Sequence, residues 1–108
     1  DTTGLIEGWY IAQYAHLQGK PCITHNWHGD FTSMSNIRLV AAIPNYQVLE
    51  PCRHYNHFLG GLFKEPIVVK DSYTDVPSSP GLGVEIIDDS DKKFPYDPSK
   101  HWLNHRPP

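Results

Sequence analysis

The stretch from Pro21 to Glu50, PCITHNWHGDFTSMSNIRLVAAIPNYQVLE, constrains the fold of this chain more than any other. Pro21 to Thr24 is short and mostly apolar, which suits a strand buried on both faces. Asn26 to Asp30 is a polar turn, with Gly29 permitting a tight backbone. Asp30 or Thr32 can cap a helix over Phe31 to Ala42. There Phe31, Met34, Ile37 and Ala41 fall at helical spacing, and Leu39 and Val40 widen the stripe. Pro44 ends that helix, and Asn45 to Glu50 reads as a second strand on the strength of Tyr46, Val48 and Leu49. Two consecutive strands joined by a crossover helix run parallel. This order therefore sets His25 and Glu50, at the carboxyl ends of the two strands, on one edge. An α/β barrel builds its active site on such an edge.

The flanking segments fit around that unit. Gly4 to Gln18 carries Leu5, Trp9, Ala12 and Leu17 at helical spacing, with Ile6, Tyr10 and Ile11 beside them. Gly19 follows as the expected left-handed residue, and Pro21 forbids continuation. Asp1 has no strand or cap before it, so the chain reads as starting in mid-element. After Pro51 the texture changes. Leu59 to Phe63 suits a turn of helix, Pro66 to Lys70 a short strand, Asp71 to Pro80 turns, and Gly81 to Ile87 another short strand. From Asp88 onward the chain is charged and proline-rich without periodicity: either an extended tail packed by Phe94, Tyr96 and Trp102, or partly disordered. The chain has 108 residues, enough for one small domain but far short of the roughly 250 of a complete barrel. The barrel reading makes it a piece of a larger protein.

A net charge of −3 with seven histidines supplies no basic stripe, which argues against a nucleic-acid partner. No apolar run approaches the roughly 20 residues that cross a bilayer, so no membrane partner is expected. Cys22 and Cys52 lie in neither a CxxC nor a zinc-ribbon spacing. Reduced thiols and a cytoplasmic location are the expectation.

A histidine at one strand end beside a carboxylate at the next suits proton transfer next to a carbonyl. An imidazole titrates near neutrality and can remove or return a proton, while the carboxyl group donates to or orients a substrate oxygen. The alternative is a hydrogen-bonded turn residue at His25 and a solvated strand end at Glu50. A metal reading competes: His25 with His28, and His54 with His57, form two HxxH pairs, and four imidazoles can make a tetrahedral zinc site in a zinc-stapled binding module. His16, His101 and His105 read as solvated. The acidic run Asp88 to Asp91 lacks the glycine and terminal glutamate of a calcium loop and reads as a solvated turn.

Several short motifs in this order resemble the enolase superfamily, in particular its mandelate racemase and muconate lactonizing branch. They are Thr24-His25 at a strand end, Ala41-Ala42-Ile43-Pro44-Asn45 closing a helix, and Leu49-Glu50 at the next strand end. Gly4 to Pro21 looks like the family's preceding helix, and PGLGVEI, from Pro80 to Ile86, looks like its closing signature.

The resemblance implies the last two strands and helices of a (β/α)7β TIM-type barrel over residues 1–57. Residues 58–108 would be a C-terminal segment returning to the capping domain. It implies His25 as general acid/base and Glu50 as hydrogen-bond partner of the substrate carboxylate or the enediolate. Trp27 and His28 would line a polyol pocket, and Asp1 stands near the place of the aspartate that orients the histidine. Asp1 is only three residues before Gly4 and Leu5 replaces a glycine, so the true dyad partner is expected upstream. The resemblance also implies Mg2+, with its carboxylate ligands and a lysine base on earlier strands and no metal ligand in this chain. The implied partners are the N-terminal part of the same enzyme and a small acid sugar, within a homo-oligomer. The activity chosen within the branch is dehydration of a sugar acid to a 2-keto-3-deoxy acid, with a racemase or epimerase as the alternative. This fragment alone is expected to be inactive.

Overall fold

The computed structural model describes residues 4–51 and 60–98. Asp1, Cys52, His54, His57, Leu59, His101, Trp102 and His105 lie outside the described residues.

Two helices form where the periodicity and the stop residues place them. Helix α1 spans Leu5–Leu17 and closes on a Schellman turn: Gly19, at φ +65°, donates its N–H to the His16 carbonyl while Lys20 donates to that of Ala15, each at 2.9 Å. Glycine takes this backbone without the Cβ penalty other residues meet. Helix α2 spans Asp30–Ala42 and gives way at Ile43 to extended backbone, ahead of Pro44. Its N-cap is Gly29, not Asp30 or Thr32, and no side chain caps it. Asp30 instead opens the helix and is buried.

The four expected strands do not form as strands. Pro21 to Thr24 and Asn45 to Glu50 meet in one parallel bridge, Cys22 with Tyr46, where the Cys22 N–H donates to the Asn45 carbonyl at 2.9 Å. The reason is pairing. A barrel strand is held by a neighbour on each side, and these two short segments supply each other with one. Direction and order are as expected, but the described residues build a single rung and no barrel wall. Gly81 to Ile87 reduces to an antiparallel bridge between Phe63 and Ile86. Pro66 to Lys70 reduces to the bridge Lys70 with Tyr73, closed by Asp71 and Ser72, both at positive φ. That is the backbone of a two-residue hairpin turn. Residues 60–62 are bends, not the expected helical turn, and lead into the Phe63 bridge. The acidic run holds a turn at Asp88 and Asp89 and then a one-turn helix α3, Ser90–Lys93.

The core lies on one side of α2. Met34, Ile37 and Phe63 are buried together, with Leu49, Leu62, Ile67, Leu82 and Val84 packed around them. The Phe31 ring meets Phe63 edge-on at 5.1 Å. Two polar clamps fasten the surrounding chain. Arg38 donates from Nε to the Leu82 carbonyl at 3.1 Å and from a terminal nitrogen to the Ser79 carbonyl at 2.7 Å, tying the turn near residue 80 to α2. Asn45 Nδ2 donates to the Ala12 and Lys20 carbonyls at 3.1 and 2.9 Å, tying α1 and its exit to the chain after α2. The apolar stripe of α1, by contrast, buries Ala12 alone. Ile6, Tyr10, Tyr14 and Leu17 are 62–79% exposed.

Candidate active site

The parallel rung explains why His25 and Glu50 meet. At about 3.3 Å rise per residue in extended chain, His25 lies about 10 Å beyond Cys22 and Glu50 about 13 Å beyond Tyr46, in the same direction. Their side chains come together at that edge, with His25 Nδ1 3.2 Å from Glu50 Oε2. The same carboxylate oxygen accepts the backbone N–H of Asn26 at 3.2 Å. A carboxylate oxygen already taking one N–H is an acceptor, so the proton of the short contact sits on Nδ1 of the imidazole. In the neutral ring Nε2 then carries the lone pair. The side chains are 61% and 44% exposed, so the imidazole is largely open to solvent.

Helix α2 holds this turn through a polar face that the sequence reading does not single out. Ser33 and Asn36 are one turn apart and share that face, rotated away from the apolar pair Met34 and Ile37. Asn36 Nδ2 donates to the His25 carbonyl at 3.1 Å. Asn26 is buried, 3% exposed, and its Nδ2 donates to Ser33 Oγ at 3.2 Å. The Ser33 hydroxyl lies 3.3 Å from both Asn26 Oδ1 and the Gly29 carbonyl. With its one proton on the Gly29 carbonyl and its lone pair on Asn26 Nδ2, the contacts form one consistent set. The usable sequence signal was an asparagine directly after His25, followed by a serine and an asparagine three apart on the next helix.

The other expected residues fall differently. The Trp27 ring lies nearly parallel to that of His25, 6.1 Å between centroids and 18° between planes, as alternate residues of an extended segment share a face. His28 points elsewhere. It borders an open groove of about 510 Å³ with Asp30, Leu62, Asp91 and Phe94. Next to it Asp30 accepts the Gly60 N–H at 3.0 and 3.1 Å on its two oxygens, and the Leu62 N–H at 3.5 Å. Sequence reading offered that carboxylate or Thr32 as a cap; it is a clamp on the Gly60 and Leu62 amides. Asp1, His54 and His57 lie outside the described residues. Among the described residues no three His, Cys, Asp or Glu side chains gather to hold a metal ion. Cys22 is a half-buried free thiol. No described helix is long and apolar enough to cross a membrane.

Residues 1–90 match the family model described as enolase C-terminal domain-like. The chain is similar to arabinonate dehydratase of Saccharolobus solfataricus, 32% identical over 87 residues that make up 81% of this chain and 23% of that protein. The chain thus spans about a quarter of that relative's length. No solved structure matches it.

Proposed function

This chain belongs to the enolase C-terminal domain-like family, and from that premise we propose that it is the C-terminal part of a Mg2+-dependent acid-sugar dehydratase. The carrying observation is the His25–Glu50 pair at the carboxyl edge of two parallel segments. The similarity to an arabinonate dehydratase points the pair toward a polyol acid. The reaction breaks the C–H bond α to the carboxylate and the C–O bond of the 3-hydroxyl. It releases water and leaves an enol that becomes the 2-keto-3-deoxy acid. His25 Nε2 handles the proton, and as imidazolium it protonates the departing hydroxyl, which would otherwise leave as hydroxide. Glu50 accepts Nδ1–H on Oε2, and in its protonated form its other oxygen would donate to the substrate carboxylate or the enediolate. Trp27 offers a flat wall beside His25, whereas His28 borders the separate groove with Asp30 and Phe94.

Superfamily enzymes generally use Mg2+. The described residues do not fit it, since they bring no three candidate ligands together, and we place its ligands on earlier strands of the complete chain. Those strands and the capping domain we place against the bare apolar face of α1, with the barrel part ending near residue 57. Exposed patches of that kind mark surfaces that a further element covers.

Replacing His25 by Asn in the complete enzyme tests the reading. Turnover of an aldonate should fall by at least about 100-fold, the scale of a lost general acid/base, while Mg2+ binding is retained. Normal turnover by His25→Asn would overturn it. In D2O, deuterium retained at the α-carbon without loss of water would mark a racemase or epimerase instead.

A further inference from the structure

We infer that Asn36, Asn26 and Ser33 are positioning residues that aim His25 and Glu50 by fixing the single peptide unit between His25 and Asn26. The inference rests on the proton-transfer role given to His25 above. A peptide unit is planar, so the direction of its carbonyl dictates that of its N–H. Here the carbonyl belongs to His25 and accepts Asn36 Nδ2 at 3.1 Å, while the N–H belongs to Asn26 and donates to Glu50 Oε2 at 3.2 Å. The oxygen that receives that N–H also receives His25 Nδ1 at 3.2 Å. Asn36 therefore acts on the imidazole through one rigid plane and one carboxylate. Ser33 acts on the next residue, because its bond to the buried Asn26 side chain, 3.2 Å, stops that residue rotating. None of the three side chains bonds to the His25 ring or to the Glu50 carboxylate.

The geometry also says what their loss does. Without Asn36 the plane between His25 and Asn26 is free to turn, and its N–H swings off Glu50. The carboxylate then keeps the imidazole as its partner but loses the contact that locates it. The imidazole remains present and ionisable, with Nε2 displaced. A misplacement near 1 Å of a reacting group costs about 100-fold. The signature is a fall in kcat with substrate affinity kept.

The test uses the complete enzyme, with arabinonate and its aldonate isomers as probes. Asn36→Asp keeps the shape and removes the donor; Ser33→Ala removes the hydroxyl and Ser33→Thr keeps one. For Asn36→Asp and Ser33→Ala, kcat should fall about 10- to 100-fold with KM within about threefold, and Ser33→Thr should stay near wild type. Wild-type kcat in both Asn36→Asp and Ser33→Ala overturns the inference, as does a Ser33→Thr loss equal to that of Ser33→Ala. If Asn36→Asp does not fold, the Ser33 pair decides alone. Wild-type turnover by His25→Asn is a separate result, and it removes the functional reading rather than the positioning.

Discussion

At the scale of single residues, buried polar side chains set the local geometry. Asp30 is 3% exposed and satisfies two backbone donors, Gly60 and Leu62. Hydrogen bonds to a charged acceptor contribute about 1.5–3 kcal/mol. Asp30→Ala should therefore open the segment at residues 60–62 by about that much, read as faster amide hydrogen exchange at Gly60 and Leu62. Unchanged exchange there would rule out the clamp. Asp30 was visible in the sequence as a polar residue before an apolar stripe, which is also how a helix cap looks. Asn26, Ser33 and Asn36 were hidden for the same reason: a short polar side chain in a turn or on a helix looks alike whether it meets water or another side chain. His25 and Glu50 were legible because strand order alone placed them.

At the scale of elements, the two long helices were legible, while the one-turn helix α3 and the strands were not. Helix α1 ends at Leu17 and α2 at Ala42, where Gly19 and Pro44 require an end. Helix formation depends on neighbours three and four residues apart, which a sequence displays directly. A parallel strand exists only through a partner distant in sequence, and Pro21 to Thr24 finds one rung of pairing. The turn near residue 80 shows how a loop is fixed from outside: Gly83 sits at φ +76°, and a Cβ there would collide with Arg38 and Pro77. Gly83→Ala should cost about 2 kcal/mol or more through backbone strain and displacement of the Arg38 clamp, seen as a lower thermal midpoint of the complete enzyme. The surface cluster of Lys64 with Glu85 and Asp88, 3.4 Å to each, adds less. Hydrogen bonds to Glu85 and then Asp88 raise the Lys64 pKa above 10.5. Its contribution is therefore complete below about pH 10.5 and lost as pH rises through the higher folded value. With Lys64 nearly half exposed, salt screens it.

At the scale of the whole molecule, one small core carries the described chain. Met34, Ile37 and Phe63 are its buried centre, and α2 offers that core one face and the His25 turn another. Ile37→Ala should cost about 2–5 kcal/mol and, by loosening α2, lower activity along with stability. That joint loss distinguishes a core change from Asn36→Asp, for which kcat is expected to fall with KM kept. A fall in kcat without any loss of stability in Ile37→Ala would contradict the core assignment. The α1 face, with Leu17 79% and Ile6 73% exposed, shows that the apolar surface of this chain exceeds what its own described residues cover.

The sequence by itself determined the two helices, their ends, the order of the segments between them and hence the common direction that brings His25 and Glu50 to one edge. Those are consequences of local spacing and of stop residues, and local chemistry settles them. Only the tertiary structure decided that Pro21 to Thr24 and Asn45 to Glu50 meet in a single rung, that Asp30 clamps rather than caps, and that one peptide plane between His25 and Asn26 is gripped from both sides. Each depends on partners 11 to 32 residues apart in the chain, and such pairings arise when the chain folds back on itself. Polarity in the sequence marks a residue as able to hydrogen-bond; packing chooses its partner.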